Sequence, residues 1–439
     1  VTDATIGAVT PDPWPAPRAR EPLDAVVSVP GSKSMTNRAL VLAALAATPT
    51  LVEGALTSRD TTLMAEGLRA LGARIEADAD RWSVTPGPLR GGVSVDAGLA
   101  GTVMRFLLPV AALAAGPVRV DGDPRARERP MLALVDALRR LGVRVDDAGG
   151  GRLPVTVEGA RVLGGGSLSI DGSASSQLVS ALLLAAPRFT AGLALRHRGD
   201  RLPSTPHVAM TVAMLRDRGV RVDTAEPSRW HVHPGPIAGG VVTVEPDLSS
   251  AAPFLAAPLV VGGAVTLRSW PAASGQPGAR TPDVLARMGA TVSATAAGLV
   301  VRRDGELRGI DIDLADNSEL ACVLAALATF ASSPTRLTGI GHMRGHETDR
   351  LAALATELGG LGADVTELDD GLAINPGPLR GGVFRTYDDH RLAMAGAVMG
   401  LGVDGVLVEN VATAAKTFPS FAETWTAMVG AGTSGGGAG

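Results

Sequence analysis

The chain carries one cysteine, one tyrosine and only 3% aromatic residues in 439 positions. A single cysteine excludes an internal disulfide and a cysteine-cluster zinc site. Cys322 lies in the apolar run 320–328 and reads as a buried structural thiol rather than a nucleophile. With so few rings, a hydrophobic content of 46% has to build its core from Ala, Leu and Val, side chains small enough for helices and strands to approach closely. Charge of one sign is lacking as well. The 40 basic and 44 acidic residues leave a net charge of −4, which gives no general attraction to nucleic acid or to an anionic membrane, so any anion site has to be local. No uninterrupted apolar run approaches the ~18 residues of a membrane span. The first 22 residues hold five prolines and no apolar stretch of the kind a signal peptide needs, and residues 430–439 read as a flexible glycine-rich tail. These absences point to a soluble cytoplasmic protein.

What the chain does have is an internal repeat. Six times a short β-like run meets a polar loop and then an Ala- and Leu-rich apolar helix of roughly a dozen residues. The six segments start at Val26, Val93, Leu168, Val241, Ile310 and Val383, which are 67, 75, 73, 69 and 73 residues apart. Between them lie amphipathic helices such as EGLRALG and LVDALRRLG, each ending in a glycine where a helix terminus favours a left-handed residue. The loop PGPLRGG occurs at 86–92 and again at 376–382. A helix without a polar face is buried on all sides. The reading is an α/β protein whose six units sort into two globular halves of three. The chain crosses between the halves near Pro30 and returns near residues 240–246, giving one domain of residues 1–30 plus 242–439 and another of 31–241. If the apolar helices run the same way, their N-termini converge on the cleft between the halves and their dipoles add there.

The loops before these helices carry the chemistry. In residues 29–38, VPGSKSMTNR, a β-like approach breaks at Pro30-Gly31 and a helix opens with hydroxyls, free N–H groups and two cations facing one point, an arrangement that holds a phosphate or carboxylate. The Walker spacing is absent, so nucleotide hydrolysis is not indicated. Lys33 is expected on a loop outside the core. Equivalent loops supply Arg38, Arg105, Arg129, Arg350, Arg391 and Lys416, the donors Ser175-Ser176-Gln177, and Gly101-Thr102, where a missing side chain lets a ligand come close. Carboxylates are fewer: Glu319, Glu347, Asp349, Asp388 and Asp389. Asp349 and Asp389 read equally well as structural ion pairs with Arg350 or Arg391, whereas Glu319 has no basic neighbour in sequence and suits proton abstraction. His342 and His346 flank Arg344, but H-E-x-x-H is absent, so they read as phosphate- or hydroxyl-facing rather than as metal ligands.

With these loops in view, the chain resembles the 5-enolpyruvylshikimate 3-phosphate synthase family of enolpyruvyl transferases. The resemblance covers roughly residues 24–429 and rests on PGSKSMTNRAL, LAGTVMRF, GDPRARERPM, SASSQ, HETDRLAAL, DDHRLAMA and AAKTFPSF, in that order. It implies a two-domain inside-out α/β barrel of six βαβαββ units, three per domain, working as a monomer and closing on substrate. The implied reaction moves the enolpyruvyl group of phosphoenolpyruvate to the 5-hydroxyl of shikimate 3-phosphate, with no metal or organic cofactor. By motif, Lys33, Gly101, Arg129, Gln177, Arg350, Arg391 and Lys416 would hold phosphoenolpyruvate. Ser34, Arg38, Ser175, Ser176, Gln177, Ser204, Glu319 and His346 would hold shikimate 3-phosphate, with Lys33 between the two. Glu319 would accept the 5-hydroxyl proton and Glu347 would protonate the methylene carbon.

The chain departs from the usual family pattern at four places. Glu319 stands where many members have Asp, with Asp316 as a competitor three residues upstream. His346 replaces a common Lys, which would make one substrate contact depend on pH. His207 stands where a Tyr is common and Leu99 where an Asn is. Two alternatives remain: the sister transferase that modifies UDP-N-acetylglucosamine with a loop cysteine, and a non-catalytic anion-binding relative. The helical setting of Cys322 argues against the first. The joint presence of Lys33, Glu319, Glu347, Arg391 and Lys416 argues against the second.

Overall fold

The structure, a computed structural model, describes residues 10–431. Residues 1–9, and 432–439 of the expected tail, lie outside the described residues. The first two residues of that tail, Gly430 and Ala431, close the last helix, Phe421–Ala431.

The six apolar helices are Lys33–Ala44, Gly101–Ala111, Ser176–Ala185, Leu248–Val261, Ala321–Ala328 and His390–Gly402. Every residue of the second and fifth is buried, the fifth because a helix apolar all round leaves no face for water and the second with Thr102 and Arg105 turned toward the interior. The first three pack on one another, and so do the last three. Each triad lies at the middle of its own hydrophobic core, one drawn from residues 39–244 and the other from 14–27 and 251–429. The second core departs from the purely aliphatic expectation. Phe254, Phe418, Phe421 and Trp425 lie with ring centroids 5.2 to 6.0 Å apart and dock the last helix on the fourth apolar one.

Small sheets surround the two triads; among the described residues five have four strands and one has three. In the sheet that holds the second apolar helix, Val93–Asp96 pairs parallel with Ala115–Asp121. Val155–Ala160 and Val145–Asp146 then add antiparallel. The parallel pair needs a crossover, and the buried helix supplies it. Two units do not close on themselves. Leu23–Val27, the strand before the first apolar helix, pairs with Gly263–Leu267, which follows the fourth. Gly240–Thr243, the strand before the fourth, pairs with Thr50–Glu53, which follows the first. Where these strands are exchanged the chain runs past itself: Ser32 N–H donates to the Glu245 carbonyl and Asp247 N–H to the Pro30 carbonyl, both at 2.8 Å.

Amphipathic helices such as Arg59–Ala70 and Arg350–Gly360 cover the outside. Their stop glycines explain the recurring PGPLRGG loop. Gly72 has φ 119° and Gly362 has φ 97°, and a Cβ there would stand 2.4 Å and 2.3 Å from the carbonyl oxygens of Pro88 and Pro378. The loop folds back on its helix end at equivalent places in both units, and only glycine permits the approach. The three-stranded sheet contains an element the sequence did not suggest, Trp14–Pro15, paired with Val406–Val408. As Pro15 has no N–H to give to a ladder, it is confined to an edge. No helix among the described residues is long and apolar enough to cross a membrane.

Candidate active site

The N-terminal ends of the buried helices meet where the two cores face each other. A cavity of about 600 Å³ lies there, lined from the first core by Lys33, Ser34, Gly101, Thr102, Arg105, Arg129, Ser175 and Gln177. Glu319, His342, His346, Glu347, Arg350, His390 and Arg391 line it from the second. Local caps aim these side chains. Ser32 accepts from the Met35 N–H, Ser175 from Gln177, and Asp389 from Arg391, at 3.4, 3.3 and 2.8 Å, which fixes the first turn of each helix. The second helix has no side-chain cap, so its opening N–H groups stay available to an anion. At its first residue, Gly101, a Cβ would stand 2.9 Å from Arg105 Nη1 and 3.0 Å from both terminal nitrogens of Arg129. Glycine is what lets two guanidiniums approach that helix end.

Most of the cations are tied to carboxylates. Arg350 is held by Asp389 through Nε at 2.7 Å and Nη2 at 3.1 Å, and also reaches Glu347 at 3.1 Å. Lys416 Nζ lies 2.8 Å from the other oxygen of Glu347 and 3.9 Å from Asp60. Lys33 Nζ is 3.4 Å from the same buried Asp60 oxygen. Glu319 is fixed at both ends, accepting from Arg391 Nη2 at 3.2 Å with His207 Nε2 3.3 Å from its second oxygen. Arg105 Nε, Arg129 Nε and Arg391 Nη1 are buried donors with no partner among the described residues, which suits them to an anionic ligand.

These contacts set the protonation states. Burial pushes the Glu319 carboxyl up, but Arg391 and His207 outweigh it and hold it well below the usual carboxylate range. Glu347 behaves alike: burial raises it, while Lys416, Arg350 and Arg129 hold it well below that range. Both are therefore ionised at neutral pH. Burial and the neighbouring Arg350 keep His346 neutral. Arg350, a donor only, approaches its Nδ1 at 3.1 Å and so places the ring proton on Nε2. The expected pH-dependent charge at this position is thus suppressed in the free protein. Burial also brings His342 down to about 4.

The family model for EPSP synthase (3-phosphoshikimate 1-carboxyvinyltransferase) matches residues 17–425. The chain belongs to the EPSP synthase family. A 3-phosphoshikimate 1-carboxyvinyltransferase of Kocuria rhizophila is 52% identical over 431 residues, which are 95% of this chain and 97% of that one. The solved EPSP synthase of Acinetobacter baumannii superposes with a TM-score of 0.78 at 26% identity, covering 94% of this chain and 97% of its own. The enolpyruvyl transferase NikO of Streptomyces tendae shares the fold, with a TM-score of 0.73 at 22% identity over 94% of this chain and 96% of its own.

Of the residues that the EPSP synthase resemblance singled out, Lys33, Ser34, Gly101, Arg129, Ser175, Gln177, Glu319, His346, Glu347, Arg350 and Arg391 line the cavity, and Arg38, Ser176, Ser204 and Lys416 do not. Arg38 is buried behind the wall. It donates to Thr211 at 2.7 Å, the Ser34 carbonyl at 2.9 Å and the His207 carbonyl at 3.1 Å, with its guanidinium 5.2 Å from the Phe106 ring centroid. Burial lowers its pKa to about 10, against the opposing pull of Glu319. Ser176 is buried in the first turn of its helix. Ser204 holds a left-handed backbone, its N–H donating to the Ala315 carbonyl at 2.7 Å. Lys416 stands beside the cavity wall, bonded to Glu347 at 2.8 Å and to the Leu99 carbonyl at 3.4 Å. Asp316 does not compete with Glu319, since it accepts from Thr205 at 2.6 Å away from the cavity. Asp389 is the structural partner of Arg350, whereas Asp349 caps the helix Arg350–Gly360 and pairs with Arg344. Sequence reasoning missed Asp60, because nothing in RDTTLM marks one acid as the partner of two lysines far away along the chain.

Proposed function

We propose that the chain transfers the enolpyruvyl group of phosphoenolpyruvate to the 5-hydroxyl of shikimate 3-phosphate, releasing phosphate by addition and elimination through a tetrahedral intermediate. The observation that carries this reading is the cavity itself, where Lys33, Arg105, Arg129, Arg350 and Arg391 converge around two ionised carboxylates. Two phosphorylated substrates bring several negative charges to one place, and phosphate leaves as an anion, so a preorganised cationic site favours both binding and departure. Lys33, Gly101, Arg129, Gln177, Arg350, Arg391 and Lys416 hold phosphoenolpyruvate. Ser34, Arg38, Ser175, Ser176, Gln177, Ser204, Glu319 and His346 hold shikimate 3-phosphate, with Lys33 between the two substrates; Arg38, Ser176 and Ser204, which stand behind the cavity wall, come into reach as the two halves close on it. Glu319, ionised and oriented at both oxygens, takes the 5-hydroxyl proton. Glu347 is ionised in the free protein. When the anionic groups of phosphoenolpyruvate settle among Lys416, Arg350 and Arg129, they offset the cations that depress it, and its proton affinity rises for delivery to the methylene carbon.

In this reading the two cores are two domains of three units each, residues 1–30 plus 242–439 and 31–241, arranged as an inside-out α/β barrel. The paired crossings at Pro30 and residues 244–246 form the hinge. The protein works as a cytoplasmic monomer without a metal or organic cofactor. The nucleotide-sugar alternative needs a reactive loop cysteine; Cys322 is buried on a helix, and burial pushes its thiol up to about 12. The test is phosphate release. It is expected only when both phosphoenolpyruvate and shikimate 3-phosphate are present, and release with UDP-N-acetylglucosamine instead would reject the proposal.

A further inference from the structure

The outer hairpin of the sheet beside the third apolar helix, in which Gly166–Ile170 pairs with Leu193–His197 and that strand with Arg229–Val232, carries a cluster the cleft does not use. Strand Val222–Asp223 pairs antiparallel with Arg229–Val232, with Asp223 opposite His231. Side chains alternate across a sheet, so Val222 and Val232 turn inward and are buried, while Asp223, His231 and, two residues on, His233 share the outer face. His233 Nε2 lies 2.7 Å and His231 Nδ1 3.9 Å from the same Asp223 oxygen, and the two rings are 4.1 Å apart. One donor atom from each of the three lies within 4.8 Å of the other two. On the far side His231 is paired with Ala194, whose methyl group offers no competing ligand. Asp223 and His231 border a surface groove, separate from the substrate cavity, so the cluster is open to solvent.

We propose that Asp223, His231 and His233 form a binding site for a divalent transition-metal ion of the zinc type. Two imidazoles and a carboxylate are a nitrogen and oxygen set that such ions take, with water completing the shell. A tetrahedral ion with ligand distances of about 2.0–2.2 Å spaces its donors roughly 3.3–3.6 Å apart. The observed 2.7 and 3.9 Å straddle that spacing and the third separation is under 4.8 Å, so the two imidazoles have to rotate inward by an ångström or so to close the site. The competing cation is Arg221, which reaches the two Asp223 oxygens at 3.3 and 3.5 Å; its side chain is 72% exposed, so the metal has to displace only a solvent-screened pair. Arg229, on the same face, is occupied by Glu226. The bound ion ties a two-residue edge strand to its neighbour and stiffens the margin of the sheet.

The experiment is equilibrium dialysis of the full chain against zinc ions, compared with the His231→Ala/His233→Ala double variant and with Asp223→Asn. Both variants keep His342, His346 and His390, so the difference reports the hairpin alone. The wild type is expected to bind one equivalent that the double variant loses. Asp223→Asn is expected to weaken binding by more than the ~10-fold that loss of an outer-shell partner costs. Zinc is expected to raise the melting temperature of the wild type only, and phosphate release without added metal is expected to be equal in all three. A wild type that binds no more zinc than the folded double variant would overturn the proposal.

Discussion

Replacing Asp389 by Asn tests whether one buried carboxylate holds the most constrained guanidinium of the cleft. Asp389 is fully buried and the Arg350 side chain is 3% exposed. Oδ2 accepts from Arg350 Nε at 2.7 Å, while Oδ1 accepts from Arg350 Nη2 at 3.1 Å and from the Arg391 N–H at 2.8 Å. An asparagine can leave its oxygen at the Oδ1 position and go on capping the sixth buried helix, a role in which Asn and Asp are nearly equal. Its amide nitrogen then faces Arg350 Nε, donor against donor. Arg350 loses its shortest bond and the negative charge opposite it, and keeps the Nη2 bond to the Asn oxygen, the contact with His346 and Glu347, which Lys416 also claims. Removing one partner of a buried pair costs about 3–5 kcal/mol, and the remaining Glu347 places this change near the lower end, about 3 kcal/mol. For a cooperative unit of 150–250 residues, that lowers the melting temperature by about 6–12 °C. Thermal unfolding by circular dichroism near neutral pH measures the shift. Steady-state kinetics should show a raised KM for phosphoenolpyruvate, because Arg350 turns toward Glu347. A shift below ~2 °C with KM unchanged would refute the reasoning, since it would mean that Arg350 is anchored elsewhere.

Lys33→Met is expected to abolish phosphate release and also to weaken the fold, contrary to the loop position the sequence suggested. Asp60, itself 3% exposed, loses the ammonium 3.4 Å away, a cost of about 1–3 kcal/mol in urea unfolding; an unchanged urea midpoint would put Lys33 back outside the core. Stability should fall from about pH 6.5 downward, the pKa of an unfolded imidazole. Burial lowers His342 to about 4 and depresses His346 and His390, so below pH ~6.5 the unfolded chain takes up protons that the folded chain does not. Glu319 and Glu347, depressed in the folded state, add to the loss below about pH 4.3. His342→Gln should remove about one proton from the slope of unfolding free energy against pH, and an unaltered slope would contradict its burial. Finally, a thiol reagent should leave Cys322 and activity untouched until denaturant opens the second core, because burial pushes that thiol up to about 12. Rapid inactivation would revive the loop-cysteine alternative.

The sequence by itself determined the six buried helices, their polar N-terminal loops and the glycine stops, because apolar periodicity, caps and turns act over a few neighbouring residues. It also pointed to Lys33, Glu319, Glu347, Arg350 and Arg391 as residues of one anion-binding place, since they recur at equivalent positions of the repeat. Only the tertiary structure decided which strands share a sheet. The exchange of Leu23–Val27 and Gly240–Thr243 between units leaves no local trace, as either strand fits either partner by pattern. The choice among ion-pair partners was left open for the same reason. Arg350 chose Asp389, 39 positions away, over the adjacent Asp349, and Lys416 found Glu347 across 69 positions. Burial, too, belongs to packing: it set Arg38 behind the cavity wall and made His346 a neutral donor. Such pairings and charge states depend on distances and solvent exclusion that arise only when remote segments are brought together.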